Sequence, residues 1–126
     1  MCRTDHLKAV LAALRAIRAQ KVGSEVEYLH PLVAAALDAA SLPHQREAKL
    51  NAGSRVDFLT DGGVAVEVKR GRPRRGDLLR QLERYASHDA VGAVVLVLER
   101  AVALPDEISG KPVRVISLNM LWGPAV

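Results

Sequence analysis

Aromatic residues are scarce in this 126-residue chain, of which they make up 3%. A platform that stacks the bases of single-stranded nucleic acid needs several exposed aromatic rings, so the composition argues against that mode of binding. The core must instead be built mostly from Leu, Val and Ala. The single cysteine, Cys2, excludes an internal disulfide, a cysteine-rich zinc site and a four-cysteine iron–sulfur cluster.

Long hydrophobic runs and nucleotide-binding motifs are also missing. An apolar run at 9–14 ends at Arg15, which makes it too short for a secretory leader or a membrane span. No P-loop, GxGxxG motif or nucleophile elbow occurs, so we expect no nucleotide cofactor. Hydrophobic residues make up 49% and charged residues 25% of the chain, as in a globular protein. We expect a single cytoplasmic domain over 1–126, without membrane association.

The positive charge of the chain is concentrated in one segment. Residues 69–84 hold seven basic and two acidic residues, so this segment carries +5 while the whole chain carries +4. The remainder therefore has a net charge of −1. Such clustering indicates either a polyanionic partner or a well-solvated face.

The hydrophobic pattern predicts the element order α-α-β-β-β-α-β-β. The predicted helices cover 4–20, 24–40 (with Ser24 as N-cap) and 77–88. The predicted strands cover about 45–50, 55–60, 64–70, 93–99 and 111–118. A three-strand meander followed by a crossover helix predicts an α/β fold in which a mixed β-sheet carries helices on its faces.

Charged residues interrupt the two strands at 55–60 and 64–70. A three-residue turn at 61–63, in which glycine can adopt a positive φ, places Phe58 opposite Val66 and Asp57 opposite Glu67. In this register Val56 lies opposite Val68 and shares a face with Phe58 and the valines. Directly opposed residues have Cβ atoms roughly 4.5–5.5 Å apart, and two like charges in these positions repel each other. Either a divalent cation such as Mg²⁺ relieves that repulsion, or Arg55 and Lys69 neutralise the acids on a solvated sheet face.

These residues resemble a known enzyme motif. Asp57 followed by Glu67-Val68-Lys69 is similar to the signature of the PD-(D/E)XK nuclease superfamily, with Val56 where the name has proline. Gln81 and Tyr85 have the spacing of the QxxxY motif of its RecB-like branch. The αβββαβ order over about 24–98 resembles the restriction-endonuclease-like core, with an extra N-terminal helix and a C-terminal strand.

The resemblance implies Mg²⁺-dependent hydrolysis of DNA phosphodiester bonds, with Mn²⁺ able to substitute. Asp57, Glu67 and the carbonyl group of Val68 would hold the metal, and Lys69 would position or polarise the attacking water. Gln81 and Tyr85 would support the strand that carries the metal site. A glutamate from the first core helix often joins such a site, and between Glu25 and Glu27 the helical geometry favours Glu25. The residues expected to contact DNA phosphates are Arg70, Arg72, Arg74, Arg75, Arg80 and Arg84.

Several alternatives stay open at the level of sequence. A non-catalytic nucleic-acid-binding or adaptor module could keep the fold without cleaving, and RNA could replace DNA as the partner. A homodimer is also expected, because small members of this superfamily often pair. The four histidines, His6, His30, His44 and His88, show no ligand spacing and are expected to be structural or surface residues.

Overall fold

The computed structural model describes residues 3–17, 26–51 and 53–118. Ser24 and Glu25 lie outside these residues, so neither the predicted N-cap nor the predicted helix glutamate can be placed. The described helices are α1 (Arg3–Arg15), α2 (Val26–Ala39) and α3 (Arg75–Ala86). The strands are β1 (His44–Asn51), β2 (Ser54–Thr60), β3 (Val64–Lys69), β4 (Ala93–Leu98), β5 (Glu107–Ile108) and β6 (Lys111–Ser117).

The strands form one mixed sheet in the order β1-β2-β3-β4-β6-β5. The first three strands are an antiparallel meander, while β4 is parallel to both β3 and β6. The predicted α/β class, the mixed sheet and the order of the long elements are therefore confirmed. The two-residue strand β5 was not predicted, because so short a segment carries no periodicity.

Three predicted helix boundaries are wrong, one of them the end of the third helix, which is Ala86 rather than residue 88. The first helix ends at Arg15 rather than residue 20, since Ala16 and Ile17 donate to carbonyl groups only three residues back and so close the last turn. The third helix begins at Arg75 rather than Asp77, with the extended backbone of Arg74 as its N-cap. Asp77 instead lies in the first turn, where a negative charge interacts favourably with the helix dipole.

The helices cover both faces of the sheet and create two apolar clusters. On one face α1 and α2 pack with side chains such as Phe58, Val66 and Val95. On the other face α3 packs with residues that include Ala65, Leu96 and Val113. Every residue of β4 is buried, which explains the uninterrupted apolar run at 93–98. No helix within the described ranges is both apolar and long enough to cross a membrane.

The β2–β3 hairpin has the predicted register where its backbones pair. Phe58 lies opposite Val66 and Leu59 opposite Ala65, and Gly63 adopts a φ of +90° in the turn. The prediction that Val56 shares a face with Phe58 is wrong: Val56 packs in the α3-side cluster, and Phe58 packs under α1 and α2. The alternation is interrupted at Asp57, where side-chain hydrogen bonds link the two strands.

Candidate functional site

Three acidic residues form a row across the meander. On β1, Glu47 lies beside Asp57, because the flanking pairs Arg46–Phe58 and Ala48–Val56 fix the register of β1 with β2. On β3, Glu67 follows the residue that pairs with Phe58, which puts it on the other side of Asp57. Each of three adjacent strands therefore contributes one carboxylate to the same end of the sheet.

Two hydrogen bonds connect β2 and β3 at Asp57 and Glu67. The backbone N–H of Asp57 donates to Oε1 of Glu67 at 3.1 Å, and the backbone N–H of Val68 donates to Oδ2 of Asp57 at 2.8 Å. The structure thus brings together the two carboxylates that the hairpin register predicted. Each is held by the backbone of the opposite strand, so their separation depends on the sheet and not on flexible side chains.

Glu67 is a buried carboxylate, with 5% of the residue exposed. Its Oε2 accepts a hydrogen bond from Nε2 of Gln81 at 3.2 Å and lies 3.3 Å from Nζ of Lys69. Burial raises the pKa of Glu67, and the negative charge of Asp57 raises it further, while Lys69 acts in the opposite direction. Because its environment disfavours the charged form, the Glu67 carboxylate is stabilised in that form by a cation placed beside it.

Gln81 and Tyr85 connect helix α3 to this part of the sheet. Nε2 of Gln81 donates both to Glu67 and, at 2.9 Å, to the hydroxyl oxygen of Tyr85. The hydroxyl group of Tyr85 in turn donates to the carbonyl oxygen of Arg55 at 3.0 Å. Burial, and then the charge of Glu67, raise the pKa of Tyr85, so this hydroxyl stays a hydrogen-bond donor. The two residues predicted to support the metal-site strand do contact Glu67 and β2.

The structure adds two residues that the sequence pattern did not single out, His30 on α2 and Glu47 on β1. One ligand atom from each of His30, Glu47 and Asp57 lies within 4.8 Å of the other two. Nε2 of His30 is 3.3 Å from Oδ2 of Asp57, yet this buried nitrogen has no hydrogen-bond partner of suitable geometry within the described part of the chain. The imidazole nitrogen therefore faces the acidic row but forms no hydrogen bond with it.

Glu47 also adopts an unusual backbone conformation. Its φ of +51° lies in the left-handed region, which costs a residue with a side chain roughly 1–2 kcal/mol. The Glu47 side chain is half-exposed, and its carboxylate lies 3.8 Å from the guanidinium group of Arg55. Strained backbone of this kind is found more often at functional sites than elsewhere.

Histidine and carboxylate side chains are of the kinds that hold divalent cations in proteins. A cation coordinated at about 2.1 Å keeps its ligands no more than about 4.2 Å apart, so the His30, Glu47 and Asp57 ligand atoms, now within 4.8 Å, would have to draw closer to hold one. Carboxylate oxygens suit Mg²⁺ and Mn²⁺, and an imidazole nitrogen shifts the preference towards transition metals. Val68 contributes its N–H group to Asp57, and a metal-ligand role for its carbonyl group stays a prediction. The side chain of Glu27 lies outside the described set.

The six arginines predicted to bind DNA are all exposed. The segment 70–74 directly follows β3, and the N–H group of Gly71 donates to the Glu99 carboxylate at 3.0 Å, which ties it to the end of β4. Arg75 donates to the carbonyl oxygen of Ala103 at 2.9 Å, and Arg80 forms an ion pair with Asp77. The segment 70–74 thus begins three residues after Glu67, and Arg80 lies on α3, where it pairs with Asp77.

No protein-family model, curated protein or solved structure matches this chain. The geometry of the site is consequently the basis for any statement about function.

The other three histidines have ordinary structural contacts. Nε2 of His6 lies 2.8 Å from the Thr60 hydroxyl, and Nδ1 of His44 lies 2.9 Å from the carbonyl oxygen of Leu42. His88 contacts the side-chain amide of Asn51 at 2.9 Å. These positions agree with the expectation for those three residues, and His30 alone of the four is found at the acidic row.

Proposed function

We propose that this protein is a nuclease that uses a divalent metal ion, Mg²⁺ or Mn²⁺, to hydrolyse phosphodiester bonds in DNA. The observation that carries the proposal is the row of Glu47, Asp57 and Glu67 on three adjacent strands, with Lys69 at 3.3 Å from Glu67. The resemblance of Asp57, Glu67 and Lys69 to the PD-(D/E)XK signature, and the αβββαβ order from α2 to β4, support the same assignment.

The chain's own residues suffice to hold the ion. Asp57 would be its central ligand, since it contacts His30 on one side and the β3 backbone at Val68 on the other. Glu47, which lies within reach of Asp57 and His30, would add a second oxygen donor. Glu67, on the other side of Asp57 in the row, would add a third. When bound, such an ion lowers the pKa of an attacking water and stabilises negative charge on the phosphate group.

Lys69 is the residue suited to act on the water and the phosphate. Its side chain is partly exposed, at 29%, although its ammonium group reaches the buried Glu67. A cation fixed in this way stabilises negative charge that develops in the transition state without having to reorganise. Gln81 and Tyr85 act as positioning residues, because they fix the Glu67 carboxylate and contact no solvent-facing group of the row.

Cleavage assays with matched variants test the proposal. The protein is incubated with branched, duplex and single-stranded DNA, and with RNA, in the presence of Mg²⁺ or Mn²⁺. We expect Glu67→Ala and Lys69→Ala each to lower the rate by at least about 100-fold, while the exposed controls Glu83→Ala and Lys8→Ala leave it unchanged. Equal cleavage by wild type, Glu67→Ala and Lys69→Ala would overturn the assignment.

One observation favours a second function, a nucleic-acid-binding or adaptor module without catalysis. Lys69 pairs with Glu67 and Arg55 pairs with Glu47, so the protein's own cations partly neutralise two of the three acids. Under this alternative the chain binds nucleic acid with a strong salt dependence but binds no divalent metal and cleaves nothing. Calorimetry with Mn²⁺ separates the two functions, because only the nuclease needs the ion.

A further inference from the structure

A small basic cavity lies at the β1–β2 hairpin, outside the acidic row. Its volume is about 260 Å³, and its lining consists of Lys49, Asn51, Gly53, Ser54 and Arg55. Two of these residues are cations, two carry uncharged polar side chains, and none of the lining residues in the described part of the chain is acidic. A cavity with this lining favours an anionic ligand that accepts hydrogen bonds.

The hairpin itself keeps the lining in place. Lys49 pairs directly with Arg55 across the two strands, so the two basic side chains start from neighbouring positions on β1 and β2. The Asn51 side chain accepts a hydrogen bond from the Gly53 N–H at 2.9 Å and donates from its amide nitrogen to His88 at 2.9 Å. These hydrogen bonds connect Gly53 to Asn51 and Asn51 to the segment that follows α3, so two of the lining residues have fixed partners.

The cavity adjoins the acidic row. Lys49 and Arg55 each lie two residues along their strands from Glu47 and Asp57, and Nη1 of Arg55 is 3.8 Å from the Glu47 carboxylate. That ion pair joins two side chains that are 54% and 55% exposed, so solvent screens it and Arg55 can exchange Glu47 for another anion. A ligand long enough to reach from the acidic row to the cavity would contact the carboxylates at one end and the two cations at the other.

We propose that this cavity is a phosphate subsite, which binds the backbone phosphate next to the one located at the acidic row. The proposal rests on the proposed function, because it names the part of the nucleic-acid strand that the hairpin would hold. Arg55 can donate two parallel hydrogen bonds to a phosphate group, and Lys49 adds a compact positive charge. Contacts of this kind fix the position of the strand and read no sequence.

The first test uses metal-free protein and inorganic phosphate as the probe, so it does not depend on cleavage. We expect phosphate to shift the amide NMR signals of Gly53 and Ser54 in a saturable manner, and the shifts to disappear in Lys49→Ala/Arg55→Ala. Lys8→Ala, an exposed lysine on α1, serves as the matched control and should retain them. Equal shifts in all three proteins, or shifts confined to 70–75, would overturn the subsite.

The second test measures duplex DNA binding in EDTA as a function of salt. Loss of one phosphate contact should reduce the slope of log K against log salt by about 1 in Lys49→Ala, with no change in Lys8→Ala. Identical slopes for Lys49→Ala and wild type would contradict the subsite. If phosphate and DNA bind as expected but the wild type cleaves nothing, the nuclease proposal fails and the subsite stands.

Discussion

At the scale of single residues, the most informative group is the Glu67 carboxylate. It is buried beside a second carboxylate, an arrangement that favours its protonated form, and it has Lys69 as its cation. Four groups hold it: the Asp57 N–H, the Gln81 amide, Lys69 and, through Gln81, the Tyr85 hydroxyl. Holding an acid in this position costs stability whenever it is charged, because burial and the charge of Asp57 both disfavour the ionised form.

This cost predicts a pH-dependent effect of Glu67→Gln. In the folded protein the pKa of Glu67 is raised above its ordinary value of 4.5. As the pH rises, Glu67 therefore loses its proton at a lower pH in the unfolded chain than in the folded protein. The contribution of Glu67 to the free energy of unfolding of the metal-free wild type should therefore fall as pH rises from about 4.5 through the folded-state pKa. Glu67→Gln lacks this loss, so its stability relative to wild type should be greater at pH 7 than at pH 4.

Urea unfolding in EDTA between these pH values measures the difference. Glu83→Gln, which changes an exposed acid on α3, should show no such trend. The interpretation of Glu67 is contradicted if the stability of Glu67→Gln relative to wild type is independent of pH or lower at neutral pH.

At the scale of elements, the β2–β3 hairpin shows what the sequence could predict. Residues Asp61-Gly62-Gly63 allowed a three-residue turn, and the period-2 pattern of the valines then fixed Phe58 opposite Val66. The face of Val56 was wrong because the predicted alternation assumes an unbroken backbone ladder. The side-chain hydrogen bonds of Asp57 and Glu67 interrupt that ladder, and no periodicity reports such bonds.

The missed residues illustrate a second limit. Placing Glu47 beside Asp57 requires the register of β1 with β2, and this register shifts between Lys49 and Asn51. Placing His30 requires the way in which α2 docks on the sheet, a long-range contact that local sequence does not encode. In contrast, Gln81 and Tyr85 could be paired from their spacing alone, since residues four apart share a helix face.

The turn of this hairpin carries a prediction about stability. Gly63 has a φ of +90°, and a Cβ atom at this position would lie 3.1 Å from the carbonyl oxygen of Ala90. We expect Gly63→Ala to lower the free energy of unfolding by roughly 1–2 kcal/mol or more, because the left-handed conformation disfavours a side chain. Gly53→Ala is the matched control, since its Cβ would meet nothing within 4 Å. Equal stability of the two variants in urea unfolding would contradict this account of the turn.

At the scale of the whole molecule, basic residues gather at one end of the sheet. The β1–β2 hairpin, with Lys49 and Arg55, and the arginine segment 70–74 that follows β3 both lie beyond the acidic row at this same end. A strand of nucleic acid laid across this end would meet the carboxylates and, beyond them, the cations of both segments. The structure thus shows that the positively charged segment 69–84 begins at this end of the sheet, which composition alone could not show.

This arrangement predicts salt-dependent binding through the arginine segment. Arg72→Ala and Arg74→Ala should each weaken duplex DNA binding in EDTA and reduce the salt slope by about 1. Arg80→Ala should have a smaller effect, because Arg80 is hydrogen-bonded to Asp77, whereas the Arg55–Glu47 pair at 3.8 Å is not a hydrogen bond. Fluorescence anisotropy over a salt series measures all three, with Lys8→Ala as the control. Losses of equal size in Lys8→Ala would show that the binding is not local to this end of the molecule.

The central claim is that the acidic row binds a divalent cation through Asp57. Anomalous X-ray diffraction from crystals soaked in Mn²⁺ tests it most directly, because the signal reports the position of the ion and its ligands together. The account predicts an anomalous peak in contact with Asp57 and with at least one of Glu47, Glu67 and His30, and its disappearance in Asp57→Asn crystals. No peak at this position, or a peak that persists in Asp57→Asn, would contradict the account.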